Sequence, residues 1–259
     1  MSTQTAEWTA RYAAAAPDEG LRERKKRLMR QRLSDTAARM FLELGFDDMR
    51  VAQVAEACGV SEKTVFNYFP TKEALVLDRL ETTVASLRSG LDPETEPGVP
   101  PVEAALRILD RELTAMTAWL ADQENPEEAA WAIRRFGDLI RGTPSLRAYQ
   151  SDMIDQAVGA ATEILAARVG MSTDDPEPQI AARALLGLWR VQAESLRKHL
   201  DAPPDRLHNL VTADVRRAAR LIDSGLRSFG VPAAEQGGTS GGQLPGSQAG
   251  GSALLPTGR

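Results

Sequence analysis

What the chain has little of narrows its function first. It carries one cysteine, Cys58, in 259 residues, so no internal disulfide can form, and a reducing cytoplasm is the expected setting. Histidine occurs twice, at His199 and His208, and neither sits in a cluster of cysteines or carboxylates at metal-ligand spacing. No cofactor or metal is expected. Ser195 and His199 lie one helical turn apart, but the sequence shows no orienting acid or oxyanion site beside them, so the pair is read as accidental and the chain as no enzyme. No apolar run approaches the roughly 18 residues that span a bilayer. The opening MSTQTAEWTARYAAAAPDEG lacks a basic start followed by an apolar core, so neither a signal peptide nor a membrane partner is expected. Runs of β-branched residues are also scarce. The apolar residues are mainly Ala and Leu with some Val, a mix that favours helix over sheet.

Net charge is −5, which on its own argues against a nucleic-acid partner. The distribution argues otherwise. Between Leu21 and Leu33 stand Arg22, Arg24, Lys25, Lys26, Arg27, Arg30 and Arg32, opposed only by Glu23, while the rest of the chain is acidic. A basic working end on an acidic body is the pattern of a protein that approaches phosphates with one end.

Periodicity predicts an all-helical fold. Residues 1–20 end in Pro-Asp-Glu-Gly and read as a mobile arm. Leu33, Ala37, Met40, Phe41 and Leu44 make one apolar face of a helix over 21–44, stopped by Gly45. Two short helices follow, 51–58 and 61–69, and Thr71 caps a longer one running from Lys72 to about Leu87. Residues 89–101 (SGLDPETEPGVPP) read as a loop. Beyond them, 102–122, 126–140, 144–169, 177–200 and 206–229 are amphipathic helices separated by Gly- and Pro-containing breaks. From Gly230 the sequence is rich in Gly, Ser, Pro and Gln with almost no charge, the composition of a disordered tail. The expected domains are an arm over 1–20, a DNA-binding unit over 21–70, a ligand-binding and dimerisation unit over 71–229, and the tail over 230–259.

The segment VAQVAEACGVSEKTVFNYF (51–69) meets the steric demands of a helix-turn-helix together. Ala55 stands where the helices cross, Gly59 where the turn needs a positive φ. Val54, Cys58, Val60 and Val65 fall at inward positions, and Ser61 is placed to cap the second helix. Cys58 is accordingly read as a small buried hydrophobe. In a major groove the second helix would offer Glu62, Lys63, Thr64 and Asn67 to bases. Lys63 suits guanine, Asn67 suits adenine, and Glu62 suits either the cytosine amino group or, electrostatically, the N-terminus of its own helix. Ser61 and Tyr68 lie nearer the backbone; Thr64, Tyr68 and Lys72 are placed for phosphates, as is the basic run with Arg24, Lys25 and Arg27.

The stretch from Arg24 to Val76, and within it Phe66-Asn67-Tyr68-Phe69-Pro70-Thr71-Lys72-Glu73-Ala74-Leu75, resembles the N-terminal domain of TetR-family regulators. The resemblance implies a homodimer on a palindromic double-stranded operator, a small-molecule effector that releases it, and a phosphate contact for Lys72. Two positions depart from the family's pattern. Phe66 replaces a tyrosine whose hydroxyl bonds phosphate. Arg50 replaces a capping threonine, so that capping falls to Asp48 or a neighbour while Arg50 offers a phosphate contact of its own. Further on, RRFGDLIRGTPSLRAYQ and AARALLGLWRVQAESL are similar to a subgroup whose C-terminal domain resembles that of the mycofactocin-system regulator, which implies an apolar or acyl-CoA-like effector. Trp119, Trp131, Phe136, Met153 and Trp189 are the candidate pocket residues, set against plain core packing, and Arg134, Arg135 and Arg141 are candidate anion contacts, set equally against plain surface charges. Leu185, Leu188 and Leu196 on one late helix and Val215, Leu221 and Ile222 on the next are candidates for a four-helix dimer bundle, with packing inside one subunit as the alternative. A DNA binder whose C-terminal half only dimerises is the rival reading.

Overall fold

The first long helix, α1 (Leu21–Leu44), begins after Gly20 and stops where Gly45 takes a φ of +83° and returns its N–H to the Phe41 carbonyl. Leu33, Ala37, Ala38, Phe41 and Leu42 recur at helical spacing and are buried. Leu44, expected on the same face, is instead 45% exposed. Then come α2 (Val51–Ala57), α3 (Glu62–Tyr68) and α4 (Lys72–Val76). Thr71 caps α4, its Oγ1 accepting the Ala74 N–H at 3.0 Å.

The remainder comprises α5 (Leu80–Leu91), α6 (Pro101–Ala121), α7 (Pro126–Gly142), α8 (Pro144–Val169), α9 (Pro176–His199) and α10 (Pro204–Ser224). Proline opens each of the last five, where its missing N–H costs no helical bond and its φ is preset. The computed structural model describes residues 20–77, 80–92 and 98–225, and within them there are ten helices and no strand. The expected arm, apart from Gly20, and the expected tail lie outside the described residues.

Three boundaries differ most from the periodicity, one of them the end of α10, which stops at Ser224 with Gly225 at a φ of +69° where a helix to 229 is expected. The single helix expected over 72–87 is interrupted at Leu77, whose φ of −112° and ψ of 33° leave helical geometry. No Gly or Pro marks the spot. The loop expected from residue 89 begins later, because α5 continues through Ser89, Gly90 and Leu91. Gly90 explains this: a Cβ there would lie 2.8 Å from Ile108 Cδ1, so its lack of a side chain lets α5 close onto α6. Arg168 on α8 then donates to the carbonyls of Leu91 (3.0 Å) and Val99, holding both flanks of the connection.

α10 packs on α9 and α6, α8 lies against α5, α9 and α7, and α7 also meets α1. One apolar core runs from Leu33 to Ala219 without a break at the expected boundary near residue 70. Where α9 meets α10, a polar cluster is set into the packing. The hydroxyl of Ser195, which is 5% exposed, donates to Asp214 Oδ2 at 2.8 Å, and His199 Nε2 meets the same oxygen at 3.2 Å. Arg217 donates to Oδ1 at 2.8 Å. The carboxylate stands between serine and imidazole instead of behind the imidazole, so this is a helix tie, not the relay that activates a serine nucleophile.

The Ser195 hydrogen bond holds the Asp214 carboxyl below the usual carboxylate range; His199, Arg217 and Lys198 act in the same sense against its partial desolvation. A carboxyl held low in the fold contributes its stability above the unfolded value near about pH 4 and loses it as pH falls through the lower folded value. Asp214→Asn is expected to cost about 1–2 kcal/mol at neutral pH. Urea melts of both proteins over a falling pH series should show the difference closing in the acid range. A gap that stays constant would show that the charge is not what ties α9 to α10.

Candidate nucleic-acid interface

The reader is built by burial. Val54 and Ala55 on α2 and Val65 on α3 are buried, as are Cys58 and Phe69, while Val60 is half-buried. The turn between the helices needs Gly59, which has a φ of +66°, and is closed by Gly59 N–H to Glu56 O and Val60 N–H to Ala55 O, both 3.0 Å. Ser61 Oγ accepts the Thr64 N–H at 3.1 Å and lies 2.9 Å from the Thr64 hydroxyl. The Cys58 thiol donates to Thr36 Oγ1 on α1 at 3.4 Å, so it is enclosed against α1.

With Val65 inward, α3 turns Glu62, Lys63, Phe66 and Asn67 outward, all of them exposed. Thr64 and Tyr68 are half-buried at the edges of that face. The family pattern singles out Phe66 only for the hydroxyl it lacks. At 47% exposed, it places an aromatic ring in the middle of the outward face. Its spacing, three residues after Lys63 and four after Glu62, was the available signal.

The cations of the basic run between Leu21 and Leu33 divide into two groups. Arg22, Arg24, Lys25, Lys26 and Arg32 are exposed. Arg27 and Arg30 are half-buried, and Arg30 is structural: Nη1 donates to the Tyr68 carbonyl at 3.1 Å and the guanidinium lies 4.7 Å from the centre of the Phe69 ring. It therefore fixes the end of α3 to α1. Lys72 is likewise docked, with Nζ 3.4 Å from the Asp47 carbonyl and 4.5 Å from the Phe46 ring centre. Arg50 takes the N-cap position of α2 but its side chain makes no capping bond. Gln53, not Asp48, completes this end by accepting the Arg50 N–H at 2.9 Å, which leaves the guanidinium exposed.

The five candidate pocket residues do not converge. Trp119 and Phe136 are buried in the core, Phe136 edge-on to Phe41 at 5.3 Å, and the Trp119 indole N–H has no partner. Met153 and Trp189 are half-buried, and the Trp189 indole donates to Glu112 at 3.4 Å. Trp131 is 51% exposed and lines an open cleft beside α7. Arg134 and Arg135 line the same cleft, whereas Arg141 pairs with Asp138 at its edge. Among the six dimer candidates, Leu185, Leu188 and Val215 are buried within this one chain, because α9 and α10 turn those faces onto each other and onto their neighbours. Leu196 and Ile222 are half-buried, and Leu221 is 40% exposed.

Residues 33–78 match the family model described as bacterial regulatory proteins, tetR family, and residues 106–226 match the MftR C-terminal domain. The chain is 27% identical over 172 residues to the putative mycofactocin biosynthesis transcriptional regulator MftR of Mycobacterium tuberculosis, covering 66% of this chain and 81% of that one. It is 27% identical over 210 residues to the HTH-type transcriptional regulator TcmR of Streptomyces glaucescens, covering 76% and 91%. Among solved structures it is similar to NalD of Pseudomonas aeruginosa, the secondary repressor of the MexAB-OprM multidrug efflux pump, at 22% identity and a TM-score of 0.44, covering 74% of this chain and 96% of that one. No described helix is long and apolar enough to cross a membrane. With both of its matched regions taken up by regulators of one kind, the chain belongs to the TetR family of bacterial transcriptional regulators.

Proposed function

We propose that this chain is a repressor that binds a palindromic operator as a homodimer and releases it when a small effector binds its C-terminal helices. The observation that carries the reading is the outward face of α3, where Glu62, Lys63, Phe66 and Asn67 stand exposed on a helix held from behind by Val65, Phe69 and Arg30. A rigid short helix with two bidentate-capable polar residues and an apolar ring suits a major groove. Lys63 donates to guanine O6 and N7, Asn67 pairs with adenine, and Phe66 lies against a thymine methyl. Glu62 accepts from cytosine, and Thr64, half-buried, reaches the base edge beside it. Arg24, Lys25, Arg27, Arg50, Ser61, Tyr68 and Lys72 flank this face and take the phosphates that fix its register.

Dimerisation supplies the second reader. On the α9–α10 pair Ile180 is 65% exposed and Leu221 40% exposed, and Leu196 and Ile222 are half-buried. Apolar side chains left partly open on these two helices are suited to a two-fold bundle of four helices. Two copies of α3 would then enter the major groove about one helical turn apart, ~34–36 Å. The effector class that suits the subgroup resemblance is apolar or acyl-CoA-like, and its action requires unequal affinity for the DNA-bound and free conformers.

The experiment is selection of genomic fragments on the purified protein, followed by mobility shifts on the winners over a salt series. Lys63→Ala should relax selection at one base pair, costing about 1–3 kcal/mol at the preferred base. Arg24→Ala should weaken every fragment alike and lower the salt slope by about 1. If the enriched fragments share no two-fold motif, or if neither substitution moves the binding, the assigned docking fails.

A further inference from the structure

Two neighbouring side chains on the outward face of α3 differ in the chemistry they offer to DNA. Glu62 and Phe66 stand four residues apart, about one helical turn, and both are exposed. At this spacing Cβ atoms lie about 5–6 Å from each other. Val65 and Phe69, each 1% exposed, fix the rotation of α3, so neither Glu62 nor Phe66 can turn into the core. Phe66 is 47% exposed and stands outside the apolar cluster. Ser61 already caps the helix, its Oγ accepting the Thr64 N–H at 3.1 Å. The Glu62 carboxylate takes no ion pair or hydrogen bond among the described residues.

A major groove offers this pair few partners. An ionised carboxylate can only accept, and the donors on the groove floor are the amino groups of cytosine and adenine. A phenyl ring gains from apolar surface, and the one methyl group there is that on C5 of thymine. In unmodified DNA an amino group for Glu62 and a methyl group for Phe66 therefore come from different bases. In a T·A pair O4 of thymine lies between the methyl and the adenine amino group, and it repels a carboxylate. In 5-methylcytosine the two groups sit side by side on C4 and C5 of a single ring, with the methyl where thymine carries it.

We infer that the Glu62–Phe66 pair is a recognition site for 5-methylcytosine, held more tightly than either cytosine or thymine. Methylation of a cytosine within the operator then strengthens the grip of this protein. The inference rests on the proposed docking of α3 in a major groove and deepens it. Phe66 supplies the preference over cytosine, because only the methylated base buries a methyl group against the ring. Glu62 supplies the preference over thymine, because only the amino group donates to it.

The test is a mobility-shift titration of the full chain at fixed salt, on duplexes of the motif enriched from genomic DNA. Each pyrimidine position of the half-site in turn carries cytosine, 5-methylcytosine or thymine, opposite its own purine and in both halves of the palindrome. At one position 5-methylcytosine should bind about fourfold tighter than cytosine per half-site, the value of one buried methyl group. Thymine there should bind about tenfold weaker than 5-methylcytosine. Phe66→Ala should make cytosine and 5-methylcytosine equal. Glu62→Gln, whose amide can donate to O4 as well as accept from the amino group, should bring thymine level with 5-methylcytosine and keep the preference over cytosine. Every comparison is between duplexes on one protein, so a general loss of affinity cancels, and circular dichroism melts confirm that each variant folds. The site is overturned, with the operator reading left standing, if no cytosine of an enriched two-fold motif binds tighter when methylated. It is equally overturned if the preference survives Phe66→Ala, if the discrimination against thymine survives Glu62→Gln, or if the unaltered protein holds thymine as tightly as 5-methylcytosine. Failure to enrich any fragment overturns the operator reading, and the site with it.

Discussion

The packing of Phe41 carries the greatest structural burden in this protein. Its ring is fully buried and meets Phe136 of α7 edge-on at 5.3 Å and Phe46 of the following turn at 6.1 Å. Helix α1 therefore has two duties. One side, through Leu33, Ala37 and the Cys58–Thr36 contact, holds the helix-turn-helix; the end around Phe41 and Leu42 holds α7. Edge-to-face rings in a close-packed interior resist continuous deformation, so the reader and the C-terminal helices can shift only by exchanging one packed arrangement for another. That seam, together with the contact of α4 with α8, joins the helix-turn-helix to the C-terminal helices.

The outward face of α3 follows from what its inward face must do. Gly59 turns the chain tightly and Ala55 lets α2 and α3 approach. Val65 and Phe69 then enter the core, so that rotation of α3 about its own axis is fixed. Arg30 adds a second restraint by tying the Tyr68 carbonyl to α1 and lying over Phe69. Glu62, Lys63, Phe66 and Asn67 are exposed because the remaining positions are committed to packing. Rigidity of this kind would lower the ordering cost of the proposed placement of four side chains on base edges at once.

What the sequence revealed was mostly local. Gly45, Gly59, Ser61 and Thr71 stop, turn or cap helices through their own backbone geometry or their own hydroxyl, and each could be recognised from a few neighbours. Less legible were features decided by distant contacts. Ser89-Gly90-Leu91 reads as loop until Ile108 is seen to need the space over Gly90. The break at Leu77 leaves no mark in an apolar pattern that stays periodic. The apolar stripe on α9 and α10 was visible, but which side faces inward was not, and Leu185, Leu188 and Val215 are taken up inside the chain. The same holds for the aromatics, since periodicity cannot distinguish Trp119 in the core from Trp131 on the rim of a cleft. Ser195 and His199 looked accidental because Asp214, which joins them, is supplied by another helix.

The central claim is that two copies of α3 read neighbouring stretches of one DNA face. Hydroxyl-radical footprinting combined with dimethyl sulfate protection, on a fragment selected from genomic DNA, tests it most directly. The account predicts two protected patches related by a two-fold axis, about one helical turn apart, with the bases between α3 and each groove guarded from methylation at guanine N7. A single protected patch, or uniform protection with no guanine guarded, would contradict it.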